Sequence, residues 1–281
     1  MNKGKIIIRV AAALLVLVLT GCASALHQSG YYRNQIDPQY PGSDFMRVDQ
    51  EVLKMSGRQN VSMEQLADQL GAIAATDWEK ARAIHTWIVR NLEFDRRAFT
   101  QELEVSCDAD DVLSERKTLS CGYAALFQRL AEELGLESEL IQGYVKDSRY
   151  EGFDTVANNH AWNIVTIDGQ SAIIDTAWAA GQARDDDFSK DYDEYYFNPP
   201  PQQLIFSHYP EQQARQLLDE PLSREEYFRL PQIPPHAFDR GVNLSLILER
   251  TRDGKTITMP IFYEVDNPYY LEEFPMVDSI M

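Results

Sequence analysis

The sequence predicts an α+β fold in which a helix carrying a thiol at its start packs on an antiparallel sheet. Three observations point to it. Capping-box patterns at Ser62-Met63-Glu64-Gln65 and Thr76-Asp77-Trp78-Glu79 each open an amphipathic stretch. Cys121 stands before an apolar stripe at helical spacing: Ala124, Leu126, Phe127, Leu130, Ala131 and Leu134, closed by Gly135. Two strand-like runs, 160–167 and 171–178, flank Asp168-Gly169, a strong tight-turn pair.

The first element is not part of that core. Lys3, Lys5 and Arg9 precede an uncharged apolar run from Val10 to Leu19, which ends Leu19-Thr20-Gly21-Cys22-Ala23-Ser24. The run is short for a membrane span and suits a signal-peptide core. Leu-Thr-Gly-Cys resembles the bacterial lipoprotein processing box. That resemblance implies cleavage after residue 21, a lipid on the Cys22 thiol and, with Ala23 next, sorting to an outer membrane facing the periplasm. An ordinary signal peptide or an uncleaved anchor is the alternative. Cleavage would remove three basic residues and no acid.

Residues 22–60 carry Gly, Pro, Ser, Gln and Asn with little periodicity and read as a tether and lead-in, part-ordered through Tyr31, Tyr32 and Tyr40. Residues 61–180 form the expected core. Its first two helices span about 63–75 and 77–91, the second with Trp78, Ala81, Ile84, Ile88 and Leu92 on one side. His85 and Trp87 lie off that stripe and read as a surface histidine and a packing aromatic. Residues 137–146 read as a strand beside the 160–178 hairpin. Residues 181–242 become polar, then rich in Pro and aromatics, and read as an irregular layer of short helices wrapping the core. In the last segment, 243–281, runs 243–250 and 255–265 alternate around Asp253-Gly254 and read as a second hairpin, a small C-terminal β extension.

The chemistry concentrates at three residues. Cys121 falls in the first turn of its helix, where unpaired N–H groups and the helix dipole favour a thiolate. The same N–H groups suit an oxyanion, and Gly122 leaves room for a carbonyl to approach. If Asp168-Gly169 is a two-residue loop, Ile167 pairs with Gln170 and His160 falls opposite Ala177. Asp175 is then a diagonal cross-strand neighbour of His160, about 7–8 Å away between Cα atoms. The spacing predicts a His160–Asp175 hydrogen bond that sets the histidine tautomer. The plainer alternatives are a buried structural cysteine and a strand-end His and Asp satisfied by local backbone.

Composition narrows the partners. The 281 residues carry a net charge of −18, with 44 acidic against 26 basic residues. Phosphate neutralisation needs clustered Lys and Arg, so nucleic acid is excluded as a partner. The cysteines are Cys22, Cys107 and Cys121. No CxxC, HExxH or clustered His/Cys spacing suggests zinc, and Asp185-Asp186-Asp187 reads as an exposed acidic loop; neither metal nor cofactor is expected. A Cys107–Cys121 disulfide in an oxidising compartment would silence the thiol; without it, Cys107 is an unpaired loop thiol.

Together these residues resemble the transglutaminase-like superfamily of papain-like thiol enzymes. The matching blocks are 111–124, ending Leu119-Ser120-Cys121-Gly122-Tyr123-Ala124; Gly143-Tyr144-Val145-Lys146; His160-Ala161-Trp162-Asn163; and Ile174-Asp175-Thr176-Ala177-Trp178. Beyond them, Tyr195-Tyr196-Phe197-Asn198-Pro199-Pro200, His208-Tyr209-Pro210, Gln216-Leu217-Leu218 and Glu226-Tyr227-Phe228-Arg229-Leu230-Pro231 are similar to the branch of kyphoscoliosis peptidase and cytokinesis-associated homologues. The resemblance implies Cys121 as nucleophile, His160 as base and Asp175 as its orienter, acting on amide bonds of proteins or peptides; the N-terminal processing box places that substrate in the cell envelope. Water as acceptor makes a peptidase or amidase; an amine makes a transamidase. Some members of this branch have lost the nucleophile and only bind, so a silent binding module is the competing expectation.

Overall fold

The structure is a computed structural model, and it describes residues 39–55, 61–146, 159–184, 187–238 and 244–254. The processing box with Cys22, and the expected strand 255–265, lie outside the described residues. Among the described residues no helix is long and apolar enough to cross a membrane.

The helical layer comes first. α1 (Phe45–Lys54) is capped by Asp44, whose carboxylate accepts the Arg47 N–H. α2 (Met63–Ile73) opens on a complete capping box between Ser62 and Gln65. α3 (Asp77–Asn91) is capped by Thr76, which accepts the Glu79 N–H. The reciprocal half of that second box is absent. Glu79 is instead 1 % exposed, and its carboxylate accepts the N–H groups of Ala75 and Asp44, each at 2.7 Å, as well as the Arg47 guanidinium. A local cap has become a tertiary clamp that docks α1 on α3.

The lead-in is accordingly built into the body from Tyr40 onward. Tyr40 packs on Trp78 and Phe45, with ring centroids 4.7 and 4.8 Å apart. Val48 and Val52 of α1 are buried. Beneath them the Arg82 guanidinium is held by both oxygens of Asp49, at 2.8 and 2.6 Å, and by Glu194. Thr86 Oγ1 donates to Asp49 as well, at 2.6 Å. Removing one partner of a buried ion pair strands the other charge. Asp49→Ala should therefore lower stability by about 3–5 kcal/mol in urea unfolding; a change below about 1 kcal/mol would mean that Glu194 alone suffices.

α3 is the central helix and is packed on almost every side. His85, expected at the surface, is fully buried, with Phe197 and Tyr192 against its ring at 5.0 and 5.9 Å. Periodicity marks the face a helix turns to its first neighbour; it says nothing of a second neighbour covering the opposite side. Burial, then the nearby Arg82 charge, holds the His85 pKa well below the usual imidazole range.

After β1 (Glu93–Phe94), α4 (Arg96–Gln101), α5 (Ala109–Glu115) and β2 (Lys117–Thr118), the chain enters α6 (Ser120–Glu133). Ala124, Leu126, Phe127, Leu130 and Ala131 of α6 are buried, as the stripe predicts, and Leu134 is half-buried; Tyr123, off the stripe, is buried too. Gly135, at φ +74°, ends it in the left-handed conformation usual after a helix. Gly122 does not open space for a substrate. A Cβ there would lie 2.2 Å from Thr118 Oγ1 and 2.7 Å from Val112 Cγ2. Its lack of a side chain lets the helix start approach α5 and β2.

The sheet has the order β5-β4-β3-β8, all antiparallel, with β3 Glu137–Val145, β4 His160–Ile167, β5 Gln170–Ile174 and β8 His208–Pro210. Ile167 pairs with Gln170 as expected, through a turn in which Asp168 and Gly169 both have positive φ, 52° and 75°. The second strand of this hairpin is shorter than expected. It ends at Ile174, and Asp175 caps α7 (Thr176–Ala179) by accepting the N–H groups of Ala177 and Trp178. A carboxylate satisfying two helix-start donors overrides the strand preference of Thr and Trp. So Ala177 does not face His160, which instead pairs with Gly143 of β3.

Among the described residues of 181–242 short helices form as expected, α8 (Pro201–Leu204), α9 (Arg224–Arg229), α10 (Pro235–Phe238) and single 3₁₀ turns at Glu194–Tyr196 and Gln213–Gln216, but so do three short strands, β6 (Gln182–Arg184), β7 (Asp187–Ser189) and β8. Unexpectedly, one of them, β8, joins the main sheet beside β3. Lys146 pins this layer by donating to the carbonyls of Tyr227 and Leu230, at 2.8 and 2.6 Å. Burial pushes its amine down to about 7.

From Asn243 the chain is a separate unit. The first strand of the expected C-terminal β extension is corrected here: residues 244–250 do not form a strand but lie in α11 (Leu244–Arg252). Leu244, Ile247, Leu248 and Thr251 stand at helical spacing, which also fits this short apolar run. Asp253-Gly254 is not a hairpin turn but the helix stop, with Gly254 at φ +66° donating to Thr251 O.

Candidate active site

Cys121 is the second residue of α6, half-buried, in a first turn with no side-chain cap. Leu119 O accepts the N–H groups of Gly122 and Tyr123, at 3.0 and 3.2 Å. The amides of Ser120 and Cys121 precede these and have no intrahelical acceptor. The sulfur itself is bonded to Cys107, with the two Cα atoms 5.4 Å apart. Cys107 is exposed, and its neighbours hold it beside the helix start. Thr118 Oγ1 donates to Ser106 O at 3.2 Å, Ser106 Oγ donates to Asp111, and Asp108 caps α5.

His160 opens β4 and is buried. Its Nε2 lies 2.6 Å from Asp175 Oδ2. The other carboxylate oxygen, Oδ1, accepts the N–H groups of Ala177 and Trp178, both at 3.0 Å. Burial alone would push the Asp175 carboxyl up. The charge and hydrogen bonds of His160 and His208 outweigh it and hold Asp175 well below the usual carboxylate range. An ionised carboxylate can only accept, so the His160 ring proton is on Nε2. In the neutral ring, Nδ1 is then the basic nitrogen. Trp162 stacks on the ring, centroid to centroid 6.0 Å with a 26° tilt, and Trp178 lies at 5.7 Å. Both indoles cover the ring, and the His–Asp pair is buried.

The predicted His160–Asp175 bond is thus present, formed by a helix cap rather than by a diagonal strand pair. The nucleophile helix is tied to the same strand: Asn163, three residues after His160, donates to the carbonyl of Ala124, three residues after Cys121, at 3.1 Å. In this disulfide-bonded state no hydrogen bond joins Cys121 to His160, both of them described residues.

Sequence reasoning missed His208. Its Nε2 lies 3.0 Å from the same Asp175 Oδ2, and its Nδ1 lies 2.7 Å from Ser207 Oγ. Donor atoms of His160, Asp175 and His208 lie within 4.8 Å of one another, a set that also suits a metal ion. Here Oδ2 is the shared acceptor of two ring N–H groups. The one available signal was the His208-Tyr209-Pro210 block, but a strand of three residues is too short to show alternation.

Residues 64–178 match the model of the transglutaminase-like superfamily. The chain is 31% identical over 169 residues to the human protein named kyphoscoliosis peptidase, covering 59% of this chain and 26% of that one. It is 30% identical over 210 residues to cytokinesis protein 3 of Schizosaccharomyces pombe, covering 72% of this chain and 23% of that one. It therefore spans about a quarter of the length of these relatives. A solved structure described as a TGase aligns with a TM-score of 0.35 at 16% identity, covering 64% of this chain and 42% of that chain.

Proposed function

We propose that the chain, whose residues 64–178 match the transglutaminase-like superfamily, is a thiol enzyme acting on amide bonds of proteins or peptides through an acyl-enzyme. The observation that carries this reading is the buried His160–Asp175 pair at 2.6 Å, on the strand whose Asn163 grips the nucleophile helix. In the reduced chain, His160 Nδ1 takes the Cys121 proton and the thiolate attacks the amide carbon. The amides of Ser120 and Cys121, at the helix start, would hold the oxyanion as it develops. The C–N bond breaks as the imidazolium returns its proton to the leaving amine, which leaves a thioester. Water or a second amine, deprotonated by the same Nδ1, then breaks the C–S bond and restores the thiol.

The competing reading, a silent binding module, draws on one observation: Cys121 is spent in a disulfide. The test that separates them is an electrophilic amide-mimic probe on the reduced chain, read by mass spectrometry. Labelling confined to Cys121 and lost in His160→Ala supports the enzyme. Equal labelling of Cys107 and Cys121, indifferent to His160, supports the binding module.

The site would work in the cell envelope, tethered through a lipid on Cys22. That part of the proposal rests on the basic, apolar and Leu-Thr-Gly-Cys order alone. Metabolic labelling with a clickable fatty acid should tag the wild type and not Cys22→Ala; equal tagging of both would overturn it.

A further inference from the structure

We propose that His208, backed by Ser207, is a positioning residue that fixes Asp175 so that Asp175 in turn fixes His160. The proposal rests on the thiol-enzyme reading above and adds a fourth and a fifth member to its machinery.

Asp175 is 1 % exposed, and a buried carboxylate survives only if its lone pairs are filled. All of them are. Oδ1 takes the N–H groups of Ala177 and Trp178, and Oδ2 takes the Nε2–H groups of His160 and His208. Three of these four donors are fixed by the fold and do no chemistry. Of the three, only His208 shares the oxygen that holds His160.

The tautomer of His208 follows in the same way. Its proton must be on Nε2 to face the carboxylate, so Nδ1 accepts from the Ser207 hydroxyl at 2.7 Å. The Leu204 carbonyl, the hydroxyl's other acceptor, is farther at 3.2 Å. Burial depresses the pKa of the ring and the His160 charge adds to this, although Asp175 opposes both. At neutral pH His208 is thus an uncharged donor. The ring is clamped by Trp178 at 4.4 Å and by Trp162 at 5.3 Å, edge to face. It reaches this place because β8 pairs with β3, Val145 against His208. Residues beyond the hairpin therefore complete the site.

An uncharged donor on Oδ2 has a definite electrostatic effect. It draws off part of the carboxylate's charge, which otherwise falls wholly on His160 and holds its proton more tightly. Among the described residues, the other titratable groups in the field of Asp175 are His85 from α3 and Tyr196 from the 3₁₀ turn, and burial keeps both neutral. Cys121 completes the set. Asp175 stays ionised well below neutrality, so it adds no limb to a neutral-range pH profile.

The experiment is the rate of iodoacetate alkylation at Cys121 against pH, in the full chain held reduced; this anionic reagent needs the positive charge beside the thiolate, so its rate falls when that charge is lost and gives the high-pH limb. The wild type is read first. A low-pH limb well below the free-thiol value of about 8.5 establishes the Cys–His pair; a free-thiol profile overturns that reading whatever His208 does. Given the pair, His208→Leu should raise the high-pH limb by about 0.5–1 unit and lower the plateau about tenfold through lost orientation. His208→Gln keeps an N–H near the Nε2 position and should restore the wild-type limb. Ser207→Ala leaves the ring in place and should shift the limb in the same direction by less, so it serves where His208→Leu does not fold. An unmoved limb in folded His208→Leu or Ser207→Ala, or His208→Gln behaving as His208→Leu, would overturn the proposal. So would a wild-type nitrogen NMR spectrum placing the His208 proton on Nδ1.

Discussion

Cys121→Ala and His160→Ala should each abolish turnover in the reduced chain, by at least about 10⁴-fold, and the double variant should be no worse than either. The reason is that one step needs both: the thiol is inert without a base, and the base has nothing to deprotonate without the thiol. Asp175→Asn probes a different property. The asparagine oxygen can still cap α7, but its amide would point two N–H donors at the Nε2–H groups of His160 and His208. His160 escapes the clash only by moving its proton to Nδ1, the nitrogen that must act as base. The expected loss is about 10²–10⁴-fold with the fold retained. Circular dichroism and a single-turnover acylation assay would check both halves. Full activity in folded His160→Ala would refute the catalytic assignment.

The second large effect is redox. As the chain stands, Cys121 cannot attack anything, because its sulfur is bonded to Cys107. A dithiol reductant should switch the site on. Its thiolate attacks the exposed Cys107 sulfur, the Cys107–Cys121 bond breaks, and Cys121 leaves as the thiolate favoured at a helix start. The second thiol of the reductant then resolves the mixed disulfide, so that two protein thiols and one reductant disulfide result. Probe labelling of Cys121 should rise from background to completion with reductant in the wild type, and should need none in Cys107→Ser. The bridged cysteines are 14 residues apart, so reduction should also cost about 3 kcal/mol of stability on the chain-entropy account. Labelling that is equally fast before and after reduction would show that the bond does not guard the site.

The local elements were legible in the sequence because their causes are local. Ser62 and Thr76 sit where helix starts need acceptors, and Gly135 sits where a chain must turn left-handed. Asp168-Gly169 supplies the two positive φ angles of a hairpin turn, which sets the pairing of Ile167 with Gln170. The order of Cys121, His160 and Asp175 named the chemistry for the same reason, since thiol, imidazole and carboxylate carry their reactivity with them.

What the sequence left open was settled by packing. Asp175 could have been a strand residue; it became a helix cap because two N–H groups at the start of α7 needed an acceptor, and the bond to His160 formed from there. Arg82 and His85 stand on the same helix, and only the layers closing over α3 made both of them interior. The run at 244–250 fitted two periods, and the helix spacing of its apolar residues prevailed. Cys107 was a lone loop thiol until the Thr118–Ser106 bond and the close approach allowed by Gly122 set it against the helix start. His208 is 33 residues from Asp175 in the chain. No local pattern records that the two share an oxygen, because that sharing exists only once β8 has paired with β3. Propensity, caps and turns act between near neighbours and can be read along the chain; which buried acceptor a distant donor finds is decided only when the layers close and buried polar groups take up partners.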